Sequence, residues 1–175
     1  YHSIMEKQSR LDKATDINVA NYIAVNKNIK LNDAFTKAMK ELYLSGVESL
    51  YFASPKTAKT INTWCNKQTK GMIPSIIDNV DPNATAYLMN AIFFNGTWAK
   101  TFDKTMTKQE RFQGYTRNIQ KVQMMHQNDK FFYTTTPAYA AVDLPYGNGA
   151  YSMTVLLPHN GHSIDEIMKD LTAEK

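Results

Sequence analysis

Cysteine is almost absent from this sequence: Cys65 is the only one among 175 residues. A single cysteine excludes an internal disulfide, a disulfide-stapled scaffold and a zinc site built from several cysteines. Cys65 lies in a segment with helical apolar periodicity, which predicts a buried structural thiol. The cysteine count alone leaves the cellular compartment open.

Long apolar runs are also missing. No stretch approaches the roughly 20 residues of a membrane-spanning helix, so we expect no membrane span, and no signal peptide is recognisable. The chain opens with Tyr1 instead of methionine, from which we expect the natural N-terminus to lie upstream. Apolar residues make up 43% and charged residues 21%, and this balance predicts a folded globular protein.

Neither sign of charge dominates. Twenty Lys and Arg are interspersed with sixteen Asp and Glu, for a net charge of +4. This pattern lacks the basic patch of a nucleic-acid-binding protein, so we expect no nucleic-acid partner. The nearest approach to a cluster is Lys7, Arg10 and Lys13, where a solvated helix end is favoured over a polyanion site.

The first part of the chain mixes helices with strands. Residues 1–10 are typical of the end of a helix, and the β-branched residues of 17–25 predict a strand. A helix follows, because apolar residues recur at i, i+3, i+4, i+7 and i+8. Its predicted buried face consists of Phe35, Ala38, Met39, Leu42 and Tyr43. Gly46 is predicted to end this helix, and residues 47–52 predict a short strand.

The next helix has clear start and stop signals. Ser54 is a good cap, and Pro55 suits the first helical position, where its missing N–H costs nothing. Gly71 is predicted to close the helix, and Asp81-Pro82 marks a later turn. The predicted buried face consists of Ala58, Ile61, Trp64 and Cys65.

Residues 86–94 are the most apolar run in the chain and do not alternate cleanly with polar residues. This predicts a strand that is buried on both faces. Gly96 interrupts the run before Trp98. Short strands are predicted beyond it, near 109–113, 119–125, 131–135, 139–144 and 150–157, with a hairpin turn at 146–149.

The final predicted helix begins with Ser163 and Glu166, which match a capping box. Its predicted buried face consists of Ile164, Ile167, Met168 and Leu171. Because strands do not alternate regularly with helices along the chain, the order of elements favours an α+β fold over a doubly wound one.

No catalytic or metal motif is evident. A glycine-rich phosphate loop and a nucleophile elbow are both missing. For His159 and His162 a surface turn is favoured over a metal site, and for His126 a hydrogen-bonded structural role is favoured over catalysis. The pair Asp165 and Glu166 is explained by the dipole at a helix N-terminus. We therefore expect no metal, no cofactor and no enzyme activity.

Two N-x-Thr glycosylation patterns begin at Asn83 and Asn95. The second adjoins the most apolar strand and would be a poor glycan site. Both are interpreted as chance matches.

Several segments, taken in order, match the sequence pattern of one known family. Ile61 to Ile73 fits I-N-x-W-V-x-x-x-T-x-G-x-I, and Leu88 to Trp98 fits V-N-A-x-x-F-x-G-x-W. Further matches are Val19-Ala20-Asn21, Val47 to Phe52, Phe102, Lys121 to Met125, Leu144-Pro145-Tyr146 and Met153 to Pro158. The chain thereby resembles the serpins over most of its length. Two mild departures are Cys65 for the usual Val and Asp143 for the usual Glu.

The resemblance implies that residues 1–175 are the central part of a single serpin domain, truncated at both ends. The implied fold has a large mixed β-sheet crossed by a helix, plus smaller antiparallel sheets. Residues 84–98 would flank the gap into which a cleaved loop inserts, residues 17–25 would be the next strand, and the helix near 55–70 would lie across them.

The resemblance also implies sheet-opening residues: Asn90, Gly96, Thr97 and Trp98. Asn90 would belong to a buried polar cluster, and Trp98 would lie where the loop first enters. A satisfied core asparagine and a large core anchor are the plain alternatives for Asn90 and Trp98.

The function implied by resemblance is suicide inhibition of serine (or cysteine) proteases by loop insertion. The alternative is a non-inhibitory serpin acting as a carrier, chaperone or storage protein. The family's reactive-centre loop would lie beyond residue 175, so this chain alone is expected to be inactive and to associate through unpaired sheet edges. An extracellular or periplasmic setting is expected because many serpins act there.

Overall fold

The computed structural model describes residues 3, 7, 8, 10–114 and 118–172. Most of the helix predicted for residues 1–10 lies outside this part of the chain. The chain divides into two compact units, Tyr1–Asn95 and Gly96–Lys175.

A three-stranded sheet with two helices forms the first unit. Its elements are β1 (Thr15–Asn26), α1 (Asp33–Tyr43), β2 (Gly46–Leu50), α2 (Lys56–Gln68) and β3 (Ala86–Gly96), whose last residue belongs to the second unit. The strand order is β2-β1-β3. β1 and β2 pair in parallel, from Tyr22 opposite Gly46 to Asn26 opposite Leu50. Among the residues that the structure describes, β3 is therefore at the edge of this sheet.

The core of the first unit lies between the sheet and α2. Tyr22, Ala24, Phe52 and Ile61 are buried there, and Trp64 packs against them. The Tyr22 and Trp64 rings stack with their centroids 5.0 Å apart. This confirms the helix predicted across the strands.

The start of α2 lies one residue later than predicted, and its end is close to the predicted glycine. Ser54 Oγ accepts a hydrogen bond of 3.3 Å from the Lys56 N–H. At the other end Lys70 adopts a φ of 50° and the Gly71 N–H donates to the Asn66 carbonyl at 2.8 Å. This 6→1 bond is that of a Schellman motif. The buried residues of α2 are Thr57, Ile61 and Cys65.

Gly46 was wrongly predicted to end α1. The helix ends at Tyr43 and is capped by Leu44, which adopts a left-handed φ of 53°, and Gly46 begins β2. The glycine is needed for another reason: a Cβ at position 46 would lie 2.9 Å from Cδ2 of Tyr22. Gly46 therefore has a structural role, but not as a helix cap. It allows β2 to lie close to Tyr22 of β1.

Two apolar faces of the first unit are much more exposed than predicted. α1 has no buried residue, and Phe35, Leu42 and Tyr43 are 42%, 60% and 45% exposed. On β3, Ala91 and Phe93 are buried but Leu88 and Ile92 are 77% and 61% exposed. β3 is thus covered on one face, not on both, because no described element packs over the second face.

Two antiparallel sheets and a short helix form the second unit. Its elements are a 3₁₀ turn (Lys104–Met106), β4 (Lys108–Gln113), β5 (Ile119–Met124), β6 (Phe132–Thr135), β7 (Tyr139–Tyr146), β8 (Tyr151–Pro158) and α3 (Ile164–Asp170). β4 pairs with β5, and the other sheet has the order β6-β7-β8. All five predicted strands are confirmed to within two residues. Together the two units confirm the α+β class and its mixture of mixed and antiparallel sheets.

The local signals in the second unit are also confirmed. The Gly149 N–H donates to the Tyr146 carbonyl at 2.7 Å in the hairpin turn between β7 and β8. Ser163 and Glu166 form both bonds of the capping box, at 3.2 and 3.0 Å. The predicted buried face of α3 was wrong apart from Ile167, because Ile164, Met168 and Leu171 are 48%, 62% and 37% exposed.

Candidate functional site

Asn90 joins two strands of the first sheet. Its Nδ2 donates to Asn21 Oδ1 at 2.9 Å and to the Ala20 carbonyl at 3.3 Å, so it links β3 to β1. The prediction that Asn90 is buried was wrong: the residue is exposed. The reason is its position on the same uncovered face of β3 as Leu88 and Ile92, two residues to either side.

A cleft of about 360 Å³ lies beside Asn90, between α1 and strands β1 and β3. Asn21, Ile23, Met39, Tyr43 and Leu88 also line it. The lining contains no histidine, cysteine or carboxylate. The cleft therefore offers packing surface and amide hydrogen bonds.

Gly96, Thr97 and Trp98 follow one another where β3 ends, and backbone pairing holds the last two against β7. The Gly147 N–H donates to the Thr97 carbonyl at 2.8 Å, and the Ala99 N–H donates to the Pro145 carbonyl at 2.9 Å. Thr97 is exposed and Trp98 is half-buried. This short antiparallel pairing fixes the backbone position of Trp98.

The Trp98 indole is held by two aromatic rings. It stacks on Tyr146 with the centroids 4.2 Å apart and meets Phe102 edge to face at 6.0 Å. Sequence reasoning included Tyr146 in a family-like segment and in a turn, but missed it as the partner of Trp98. The pairing of residues 97–99 with 145–147 is long-range, and no local signal could have revealed it.

A polar clasp, also missed from sequence, fastens the C-terminal end of α2 to β1. Asn18 Nδ2 donates to the Gln68 carbonyl at 2.9 Å and to Gln68 Oε1 at 3.0 Å. Lys70 forms an ion pair with Asp16. Because both charged side chains of this pair are about half exposed, we expect the amide bonds to contribute more than the ion pair to holding the helix.

Two buried groups have shifted acidities. Burial raises the pKa of the Cys65 thiol, so the thiolate is disfavoured. Burial, together with a 2.6 Å hydrogen bond to Glu48, raises the pKa of the Tyr22 hydroxyl well above its usual range. Both groups are neutral at physiological pH and serve packing, in agreement with the structural role predicted for Cys65.

The histidines have hydrogen-bonding neighbours. His126 Nε2 lies 2.8 Å from Glu110 Oε1, which confirms a hydrogen-bonded role. His159 Nε2 lies 3.1 Å from Thr135 Oγ1, and His162 Nδ1 lies 3.6 Å from a Glu166 carboxylate oxygen. No group of three or more metal-binding side chains occurs in the described part of the chain. Within the same residues, no helix is long and apolar enough to cross a membrane.

Comparisons with known proteins agree on one family. Residues 1–175 match the family model described as Serpin (serine protease inhibitor). Human Serpin B3 is 32% identical over 100% of this chain and 47% of its own length. The leukocyte elastase inhibitor of Xenopus tropicalis is 32% identical over 91% of this chain and 45% of its own length.

Solved structures carry the same fold. The native-state crystal structure of tengpin, a thermophilic serpin, matches with a TM-score of 0.89 at 26% identity. This match covers 99% of the present chain and 45% of that one. The chain thus spans about half the length of the relatives that it matches.

Proposed function

The chain belongs to the serpin family, and from this premise we propose that the full-length protein inhibits serine proteases by the trapping mechanism of that family. A protease cleaves an exposed loop and is acylated, and the loop then inserts into the large sheet as an added strand. The protein is consumed in this process, so it acts as an inhibitor and not as an enzyme. The leukocyte elastase inhibitor among its relatives is named for such an activity.

The position of β3 at the edge of its sheet carries the proposal. An edge strand presents a row of backbone N–H and C=O groups that an added strand can pair with. Among the described residues β3 pairs with β1 and with no second strand, and in the proposed mechanism the loop pairs along its other side. α2 already covers one face of the sheet, and an inserted strand would widen the sheet on the side of β3.

In the same proposal α2 has to yield while the loop passes. Its contacts with the sheet include the Tyr22–Trp64 stack and the clasp at its C-terminal end. The clasp is polar and partly exposed, so water can replace its bonds during a displacement at small net cost. The buried stack is the costlier contact to separate.

Asn90, Gly96, Thr97 and Trp98 are proposed as the residues that govern opening of the sheet. The Asn90 amide bonds Asn21 across the β1–β3 boundary and would exchange this partner when the strands are respaced. Trp98 contacts Tyr146 and Phe102, and its restrained indole would line the place where the loop begins to enter the sheet.

Residues 1–175 in isolation are proposed to be inactive, because in this family the reactive-centre loop follows the matched segment. The open edges and apolar faces of these residues would favour self-association. We also propose that the full-length protein acts outside the cytoplasm, in an extracellular or periplasmic setting, as many serpins do. Cell fractionation tests this location.

The function is tested by incubating the full-length protein with trypsin-like, chymotrypsin-like and elastase-like proteases. A covalent complex that survives denaturing gel electrophoresis is expected with at least one of them. The matched control is the same protease with its active serine blocked, which should give no complex. Cleavage by all three proteases without any complex would refute inhibition and favour a carrier, chaperone or storage role.

A further inference from the structure

Three Asn-Gly dipeptides occur in this chain, at 95–96, 148–149 and 160–161. This dipeptide is chemically vulnerable because glycine has no Cβ to hinder its backbone nitrogen from approaching the preceding side chain. We propose that Asn160 is a site of spontaneous deamidation and isoaspartate formation, and that the fold protects the other two asparagines.

The chemistry needs only water. The Gly161 nitrogen gives up its proton to solvent base and bonds to Cγ of Asn160. The Cγ–Nδ2 bond breaks, ammonia leaves, and a five-membered succinimide remains. Water then opens the ring at either carbonyl, which yields aspartate or isoaspartate. In isoaspartate the main chain runs through Cβ and Cγ of residue 160.

Asn160 and Gly161 are the central residues of an exposed turn. The His162 N–H donates to the His159 carbonyl at 3.0 Å and closes the turn. Both central residues are exposed, and Gly161 has a φ of 92° with no atom within 4 Å of where its Cβ would be. Neither residue makes a hydrogen bond to another part of the chain that the structure describes. The peptide unit between them can therefore rotate into an attacking geometry without breaking an internal bond.

The other two pairs are restrained. The Gly149 N–H is already engaged, since it donates to the Tyr146 carbonyl at 2.7 Å, and Asn148 Oδ1 accepts from the Ala150 N–H at 2.9 Å. Asn95 and Gly96 lie within β3, where the extended backbone is fixed. Rotation at 148–149 has to break native hydrogen bonds first, and rotation at 95–96 has to distort an extended strand; both requirements slow ring closure.

Conversion at residue 160 would change the connection between β8 and α3. It places a carboxylate in a turn whose outer residues are His159 and His162, and the isoaspartyl form lengthens the backbone by one carbon just before the Ser163 cap. Both side chains of the outer residues already have neighbours, Thr135 and Glu166. The modification therefore adds a negative charge to the turn between β8 and α3.

The test is to incubate the purified full-length protein at constant pH and map its peptides by mass spectrometry, with isoaspartate counted by an isoaspartyl methyltransferase. In the folded protein, Asn160 is expected to convert several-fold faster than Asn148 and Asn95. In urea the three rates should converge, because only local sequence then matters. The variant Asn160→Gln, which disfavours the five-membered ring, should remove the fastest phase and leave the other two unchanged.

Two results would overturn the proposal. One is conversion of Asn148 or Asn95 in the folded protein at least as fast as that of Asn160. The other is an Asn160 that stays intact in the folded protein on the timescale on which it converts in urea. Both comparisons are internal to a single sample, so they are independent of whether any variant folds.

Discussion

Trp98 and Tyr146 lie face to face, with ring centroids 4.2 Å apart and planes inclined by 13°. They are also the two residues of an isolated antiparallel β-bridge. Backbone pairing and ring stacking therefore coincide at one point, which fixes the start of the segment after β3 against the β7–β8 hairpin.

We expect a measurable coupling between these rings. In a double-mutant cycle with Trp98→Ala and Tyr146→Ala, the free energy of unfolding should show a coupling of about 0.5–1.5 kcal/mol, as for other aromatic pairs. Tyr133→Ala is the matched control. Tyr133 pairs with Val142 on β7, four residues before Tyr146, so Trp98→Ala and Tyr133→Ala should be additive. Urea unfolding of the full-length variants gives both values, and an additive Trp98–Tyr146 cycle would contradict the stacking role.

Asn90 and Asn95 form a matched pair on β3. Asn90→Ala removes a side-chain bridge to β1 and should lower the free energy of unfolding by about 1 kcal/mol. Asn95 is also exposed and makes no side-chain hydrogen bond to the described residues. Asn95→Ala should therefore change the free energy of unfolding by less than about 0.5 kcal/mol. Equal losses for the two variants in urea titrations would show that the bridge contributes nothing.

Leu44 stands in a left-handed conformation that favours glycine. Leu44→Gly should raise the free energy of unfolding by up to about 1 kcal/mol, because a side chain in this region costs roughly 1–2 kcal/mol. Leu42, also exposed but inside α1, provides the opposite control, since Leu42→Gly should lower the stability by about 1 kcal/mol. Thermal unfolding of both variants checks the sign. A loss with Leu44→Gly would mean that the packing of its side chain outweighs the strain.

Cys65 should be inert towards thiol reagents in the native protein. It is 2% exposed, and its raised pKa leaves little thiolate at neutral pH. Alkylation by iodoacetamide should therefore be slow in buffer and rapid in denaturant, as measured by intact mass. Fast alkylation of the folded protein, at a rate similar to that in denaturant, would place the thiol at the surface.

Local patterns predicted the elements of this chain well, and burial poorly. The strands of the second unit and the Ser163–Glu166 capping box were recognised because alternation, turn glycines and caps act within a few residues. The exposure of Leu88, Leu42 and Met168 was missed because burial depends on what packs against a residue. An apolar side chain looks the same in sequence whether or not a partner covers it.

The candidate site shows the same division. Asn90 and Trp98 were found through family-like segments, but their partners Asn21 and Tyr146 lie 69 and 48 positions away in the numbering, and only the folded backbone brings them close. The family resemblance implied that Asn90 belongs to a buried polar cluster. Its strand lies at a sheet edge with one open face, a property of the topology that composition does not express.

Gly46 illustrates how solvent exposure and tolerance to mutation can diverge. The residue is exposed, which is usually a mark of a permissive position. Yet any side chain there would begin 2.9 Å from the Tyr22 ring, and that ring is held in place by Trp64 and Glu48. In a saturation-mutagenesis library we therefore expect position 46 to accept almost no replacement. Buried alanines such as Ala24 and Ala91 are expected to tolerate replacement by small residues better.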